Sequence, residues 1–200
     1  MTTKASVASQ ALTLLRANTI ESLNQDSDEA EIVSTFYTAF IEDIFSRYPW
    51  SFAKTKELLT ASTTPTNEWA YAHTLPAGCL RVIAVYASSS SGAKPIKNWT
   101  RSGNEIHSNE ATLYLQYIYY VPEAEWPGYF TQYAYHALAA LIAIPITDDE
   151  SVAAYWKRIA YGTDEENERG GKFGVAASVD SQGKPPEQVD MPDLIMARFS

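Results

Sequence analysis

The heptapeptide Arg47-Tyr48-Pro49-Trp50-Ser51-Phe52-Ala53 ends a long amphipathic helical pattern. Pro49 disfavours helical geometry at Tyr48 and lacks the amide proton that a helix interior uses. Trp50 and Phe52 then follow at the point where the chain turns. None of these side chains forms a reactive group, so we interpret Pro49, Trp50 and Phe52 as a structural anchor that fixes the helix exit against a core. This favours a structural or assembly protein.

Helical periodicity extends on both sides of this anchor. Apolar residues recur at helical spacing and predict four helices, over residues 5–16, 28–48, about 127–145 and 147–169. We expect Pro145 to end the third helix. The residues Thr147-Asp148-Asp149-Glu150 have the spacing of a capping box for the fourth helix.

Between the second and third helices the apolar pattern changes to alternation. Alternation and branched residues predict strands over residues 80–86, 94–99, 105–108 and 112–121. Both faces of the last strand are largely aromatic or apolar, so we expect both to be covered. Together these strands predict a small antiparallel meander.

The predicted fold class is mainly α: a four-helix body with an inserted small antiparallel β meander and an extended C-terminal arm. The boundaries are residues 1–66 for the first half of the body, 67–121 for the β insertion, 122–170 for the second half and 171–200 for the arm. Gly170-Gly171 should break the fourth helix, and little periodicity follows.

The end of the arm is too apolar for a solvated linker. Its candidate docking residues are Leu194, Ile195, Met196, Arg198 and Phe199. We interpret this end as a docking peptide that orders on a partner; the alternative is a frayed terminus.

Charge and cysteine content limit the possible classes of protein. The 200 residues carry 24 acids and 15 bases, a net charge of −9. This balance excludes a protein that wraps DNA by neutralising phosphates, although an acidic wall would let a duplex slide past. Cys79 is the single cysteine, so no internal disulfide forms, and this fits synthesis in a reducing compartment. No apolar run approaches a membrane span, so no membrane partner is expected.

The motifs of known chemistry are not recognisable in this chain. His73, His107 and His136 lack a second ligand at metal-binding spacing, and no phosphate loop or nucleophile elbow occurs. The acidic residues 164–168 are interpreted as a solvated face. We therefore assign no catalytic, cofactor-binding or metal-binding residue and expect no cofactor and no enzyme activity.

Several short stretches, taken in order, carry a family resemblance. They are Ala11-Leu12-Thr13-Leu14-Leu15, Ile20-Glu21-Ser22-Leu23, Tyr48-Pro49-Trp50-Ser51-Phe52-Ala53, Tyr71-Ala72-His73-Thr74-Leu75-Pro76-Ala77-Gly78-Cys79-Leu80-Arg81-Val82, Leu115-Gln116-Tyr117-Ile118 and Phe130 through Pro145. With these stretches the chain resembles the tail tubular protein A family, the head-to-tail adaptors of short-tailed bacteriophages.

This resemblance implies a virion protein of the neck or tail that is made in the host bacterial cytoplasm. It implies self-assembly into a ring of about twelve copies. The ring would join the portal protein to a tail nozzle protein resembling tail tubular protein B. It would leave an axial channel through which genomic DNA passes without sequence-specific binding. The C-terminal arm is expected to engage the portal.

Two other functions stay open at this stage. The first is a tail-associated peptidoglycan hydrolase, for which Glu105 or Glu110 would supply the carboxylic acid. The second is a tail-assembly chaperone that is absent from the mature virion.

Overall fold

A computed structural model describes residues 1–62, 68–90 and 92–183 of the chain. The fold is mixed α/β, with 47% of the described residues in helices and 20% in strands, so the prediction of a mainly α four-helix body is wrong. Within these ranges, five helices surround one apolar core, and two three-stranded antiparallel sheets form a second.

The helices are α1 (Lys4–Leu14), α2 (Asp28–Ser46), α3 (Gly128–Thr147), α4 (Glu150–Tyr161) and α5 (Gly171–Gln182). The first two begin at side-chain caps. The Thr3 hydroxyl accepts a hydrogen bond from the Ser6 amide, and the Ser27 hydroxyl accepts one from the Ala30 amide. Each cap satisfies an amide that the first helical turn leaves without a partner.

The chain passes from α3 to α4 differently from the prediction. Pro145 lies inside the last turn of α3, and the helix continues to Thr147. The helix closes because the Asp148 amide donates to the Ile144 carbonyl while Asp148 adopts a left-handed φ of 51°. Asp149, rather than Thr147, caps α4 by accepting from the Ser151 amide at 2.8 Å. Gly162 then ends α4, well short of the predicted residue 169.

The strands are β1 (Lys54–Thr60), β2 (Tyr71–Thr74), β3 (Cys79–Tyr86), β4 (Trp99–Ser102), β5 (Glu105–Ser108) and β6 (Thr112–Tyr119). They form two sheets with the orders β1-β6-β3 and β2-β5-β4, all antiparallel. The prediction of a single meander is therefore wrong. Strand β1 comes from the segment assigned to the helical body, and residues 94–98 are not strand.

A small apolar core holds the two sheets together. Its buried residues are Leu59, Leu75, Val85, Ile106, Leu113, Leu115 and Tyr117. One face of β6 points into this core, whereas on the opposite face Ile118 is buried against the helices and Tyr114 and Gln116 are only half-buried. The prediction that both faces of β6 are covered therefore applies only to its last residues.

Helix α3 is the centre of the larger core. It packs against α1, α2, α4 and α5, so its many alanines let four neighbours approach closely. Arg81 of β3 joins the two layers by donating to the Ser46 carbonyl at 2.7 Å. A cation is favourable at this helix C-terminus. Among the described residues, no helix is both long and apolar enough to span a bilayer.

The beginning of the predicted C-terminal arm is a folded part of the body. Residues 171–182 form α5, so the prediction of an extended arm from residue 171 is wrong. Phe173, Ala176 and Asp180 recur at helical spacing and are buried against the body. The docking residues Leu194, Ile195, Met196, Arg198 and Phe199 lie outside the described residues.

Candidate functional site

A buried carboxylate attaches α5 to the turn that follows α2. Asp180 is 3% exposed and accepts hydrogen bonds from the Ser51 amide at 3.0 and 3.1 Å and from the Ser51 hydroxyl at 2.6 Å. The Tyr129 hydroxyl donates to the same carboxylate at 2.8 Å. Because the two chain segments are far apart in sequence, this cluster fixes the last turn of α5 on the body.

The Tyr129 hydroxyl remains a donor throughout the physiological pH range. Burial, together with the hydrogen bond to Asp180, raises the pKa of Tyr129 to about 12. The charge-assisted bonds of Asp180 are of the stronger class. The C-terminal end of α5 is therefore firmly held on the body.

We expect Asp180→Ala to lower the free energy of unfolding by roughly 1–3 kcal/mol, because it leaves the Ser51 amide and the Tyr129 hydroxyl without their acceptor. Urea unfolding followed by circular dichroism measures the change. Asp180→Asn should cost less, since it keeps one acceptor oxygen. Equal stability of wild type and Asp180→Ala would show that the cluster does not hold α5.

The residues predicted as an anchor lie next to this cluster. Trp50 is fully buried and donates through Nε1 to the Ile44 carbonyl at 2.9 Å. Its ring centroid is 4.9 Å from that of Phe130, and the Phe52 ring is 4.8 Å from the same phenyl group. Pro49 precedes the short 3-10 helix Ser51–Ala53. The anchor and the Asp180 cluster thus form one site at the exit of α2.

An apolar groove of about 540 Å³ lies between α2, α3 and α4. Its lining includes five alanines, and Leu141 and Ile144 of α3 are 42% and 52% exposed. The alanines are Ala39, Ala137, Ala140, Ala153 and Ala154. A groove with this lining has the chemistry to receive apolar side chains.

One end of the groove carries acidic and basic side chains that pair with each other. Arg47 pairs with Asp43 at 2.8 Å and with Glu168 at 3.2 Å, and its guanidinium lies 4.3 Å from the centroid of the Tyr161 ring. Lys157 reaches the other oxygen of Glu168 at 2.8 Å. These cations, Lys157 first, lower the pKa of Glu168. Asp164, Glu165 and Glu166 are exposed, as predicted for a solvated face, whereas Glu168 is half-buried and paired with these two cations.

A second buried carboxylate, Glu123, lies where β6 leads into α3. It is 5% exposed and accepts hydrogen bonds from the hydroxyls of Tyr37 at 2.9 Å and Tyr120 at 2.8 Å. Burial raises the pKa of both phenols. The cluster links α2 to this junction. Glu123 could not be predicted from the sequence, because Tyr37 is distant in sequence and no local pattern marks the pair.

The carboxylates considered for a hydrolase are not brought together. Glu105 opens β5 and lies 3.1 Å from His107 Nε2. Glu110 follows the C-terminal end of β5, and the strand is about 10 Å long. The Glu110 carbonyl oxygen lies 2.9 Å from His73 Nε2. Paired glycosidase carboxylates face each other across a cleft. The geometry therefore offers no carboxylate pair at these two positions.

His136, on α3, is also engaged locally: its Nδ1 lies 2.7 Å from the Gln132 carbonyl, and burial lowers its pKa. Within the ranges that the structure describes, no three histidine, cysteine or acidic side chains are grouped so that they could hold a metal ion.

A scan against protein-family models matches no family, and a search of curated protein sequences returns no significant match.

Proposed function

We propose that this chain is a structural head-to-tail adaptor of a short-tailed phage. About twelve copies would form a ring between the portal and the tail nozzle protein. The ring would line the channel for genomic DNA, and the location would be the neck of the virion. The observation that best supports the proposal is the attachment of α5 by Asp180, which gives the C-terminal segment a fixed base on the body.

The charge distribution is compatible with this role. Residues 1–53 and 122–183, which contain the helices, carry 17 acids and 7 bases. A predominantly acidic surface repels DNA phosphates, so a duplex can pass without being held. The same property disfavours a function that depends on tight nucleic-acid binding.

Residues 184–200 are proposed to engage the portal through Leu194, Ile195, Met196, Arg198 and Phe199. Six residues from Leu194 to Phe199 supply apolar side chains and one cation. A segment that orders on its partner can contact a large surface, at the cost of conformational entropy. The fixed base at Asp180 would determine where on the ring each segment emerges.

Truncation tests this proposal, and the position of the cut matters. A chain ending at Gly183 should keep the circular dichroism spectrum and urea midpoint of the full chain, because the whole of α5 remains. It should fail to co-sediment with portal rings of the same phage. Undiminished co-sedimentation would contradict the assignment of the arm.

Two further variants serve as controls for this experiment. A cut at residue 170 removes Phe173 and Asp180 from the core, so it should unfold the protein at lower urea and cannot report on the arm alone. The full-length variant Leu194→Ser/Ile195→Ser/Phe199→Ser removes apolar surface without shortening the chain. If it binds the portal like wild type, the apolar end is not the docking element.

A further inference from the structure

One face of the sheet β1-β6-β3 is partly exposed and carries a lysine among tyrosines. Lys56 and Leu58 of β1 are paired with Gln116 and Tyr114 of β6, and Tyr86 of β3 is paired with the same Tyr114. These side chains therefore share one face of the sheet. We call Lys56, Leu58, Tyr86 and Tyr114 the lysine-tyrosine face.

The lysine-tyrosine face has the composition of a protein contact. Leu58 is 50% exposed, and the Lys56 ammonium lies 4.1 Å from the Tyr86 ring centroid and 5.6 Å from that of Tyr114. Tyrosines that are positioned by neighbours and flank an exposed aliphatic group are favoured at protein interfaces. The cation gives this face a preference for an acidic partner surface.

A matching acidic surface exists on α2 of the same chain. Asp28, Glu31, Thr35, Thr38 and Glu42 are all exposed and recur at intervals of three or four residues, so they form one stripe along the helix. We call these residues the α2 acidic stripe. It includes no basic residue and is about 21 Å long, close to the length of β6.

The charges of the whole chain follow the same division. Residues 54–121, which contain both sheets, carry six bases and four acids, whereas the helical segments are strongly acidic. Within the described part of the chain, the contacts of Lys56 are with groups of its own β layer: the rings of Tyr86 and Tyr114 and the Ser88 carbonyl oxygen. We propose that the lysine-tyrosine face of one copy binds the α2 acidic stripe of a second copy.

This contact is heterologous, since it joins two different surfaces of identical chains. In a dimer one copy keeps a free lysine-tyrosine face and the other keeps a free α2 acidic stripe, so further copies add head to tail. The product is a ring if the rotation between neighbours closes and a filament if it does not. The inference rests on the proposed function for its biological meaning, because it names the self-contact that an adaptor ring requires. The contact itself involves only two copies of this chain and requires no portal.

Cross-linking between single-cysteine variants tests the contact. In a Cys79→Ser background, Leu58→Cys and Thr35→Cys are mixed with a short bismaleimide, and heterodimers are followed on denaturing gels. We expect them to form about tenfold faster than in the control pair Leu58→Cys with Ser178→Cys, because association raises the effective concentration. Ser178 is exposed on α5. Equal rates for the two pairs would overturn the proposal.

Charge exchange gives a second, independent readout. Lys56→Glu should reduce the Leu58–Thr35 cross-link, and adding Glu31→Lys should restore it, because the sign of each charge is then reversed. A variant with both cysteines should give a ladder of dimers, trimers and longer products, whereas a symmetric contact stops at dimers. Failure of Glu31→Lys to restore the cross-link would contradict the pairing of these surfaces.

The outcomes separate this inference from the proposed function. Selective cross-linking by a chain that never binds portal rings would support the self-contact and contradict the adaptor. The opposite result is portal binding with no selective cross-linking, either in free protein or on the portal. It would support the adaptor function and overturn the self-contact. If duplex DNA abolishes the cross-link at low salt, the lysine-tyrosine face binds phosphates instead, and the proposal fails.

Discussion

Replacing Trp50 with alanine is expected to lower the free energy of unfolding by about 3–5 kcal/mol, because it opens a cavity at the centre of the helical core. The indole is fully buried, and its ring lies 4.9 Å from both Tyr48 and Phe130, measured between centroids. Its Nε1 also satisfies the Ile44 carbonyl, one of the last four carbonyls of α2. Urea unfolding monitored by circular dichroism measures the loss.

Two variants separate the causes of this loss. Trp50→Phe retains an aromatic ring but leaves the Ile44 carbonyl without its donor, so an intermediate cost of roughly 1–3 kcal/mol is expected. Tyr155→Ala removes an aromatic ring that is 49% exposed. That change should stay within about 0.5 kcal/mol of wild type. If Trp50→Ala is no more destabilising than Tyr155→Ala, Trp50 is not the anchor of the fold.

The elements that could be predicted from the sequence are those whose signals are local. Helix α2 combines a cap at Ser27, acids in its first turn and a broad apolar stripe, and Pro49 limits its end. Its observed end at Ser46 lies two residues from the predicted one. Strand β6 has long alternation, so its existence was clear from the sequence.

The elements that escaped prediction depend on distant partners. Strand β1 shows no apolar alternation in the sequence, and only Leu59 of its residues is buried. It forms a strand because it pairs along its whole length with β6. Helix α5 buries one large apolar residue, Phe173, while Val175 and Val179 are exposed. Its buried stripe ends in Asp180, whose partner Ser51 is 129 positions away.

The candidate site shows the same limit. Trp50 and Phe52 could be selected from the sequence because large aromatics after a helix-ending proline are a local signal. Asp180 and Glu123 could not, since an isolated acidic residue in a sequence normally predicts solvent exposure. Their burial depends on tyrosines supplied from elsewhere, Tyr129 for Asp180 and Tyr37 for Glu123. A carboxylate becomes stable in a core only when such donors surround it.

Gly171→Ala is expected to lower the free energy of unfolding by roughly 2–4 kcal/mol, with two physical causes. Gly171 has a φ of +55°, where an L-residue costs about 1–2 kcal/mol. A Cβ at this position would also lie 2.5 Å from the Ile159 carbonyl oxygen and 2.7 Å from the Gly162 nitrogen. Both atoms belong to the backbone, so α5 would have to move away from the end of α4.

Gly128→Ala is the matched control for this substitution. Gly128 is the first residue of α3, and a Cβ there would have no atom within 4 Å. Because alanine reduces the entropy of the unfolded chain, this change should be neutral or stabilise by up to about 1 kcal/mol. Urea midpoints of the two variants, compared at equal protein concentration, give the difference. If Gly171→Ala matches Gly128→Ala, α5 does not pack against the end of α4, and residues 184–200 would lack the fixed base on which the proposed portal contact depends.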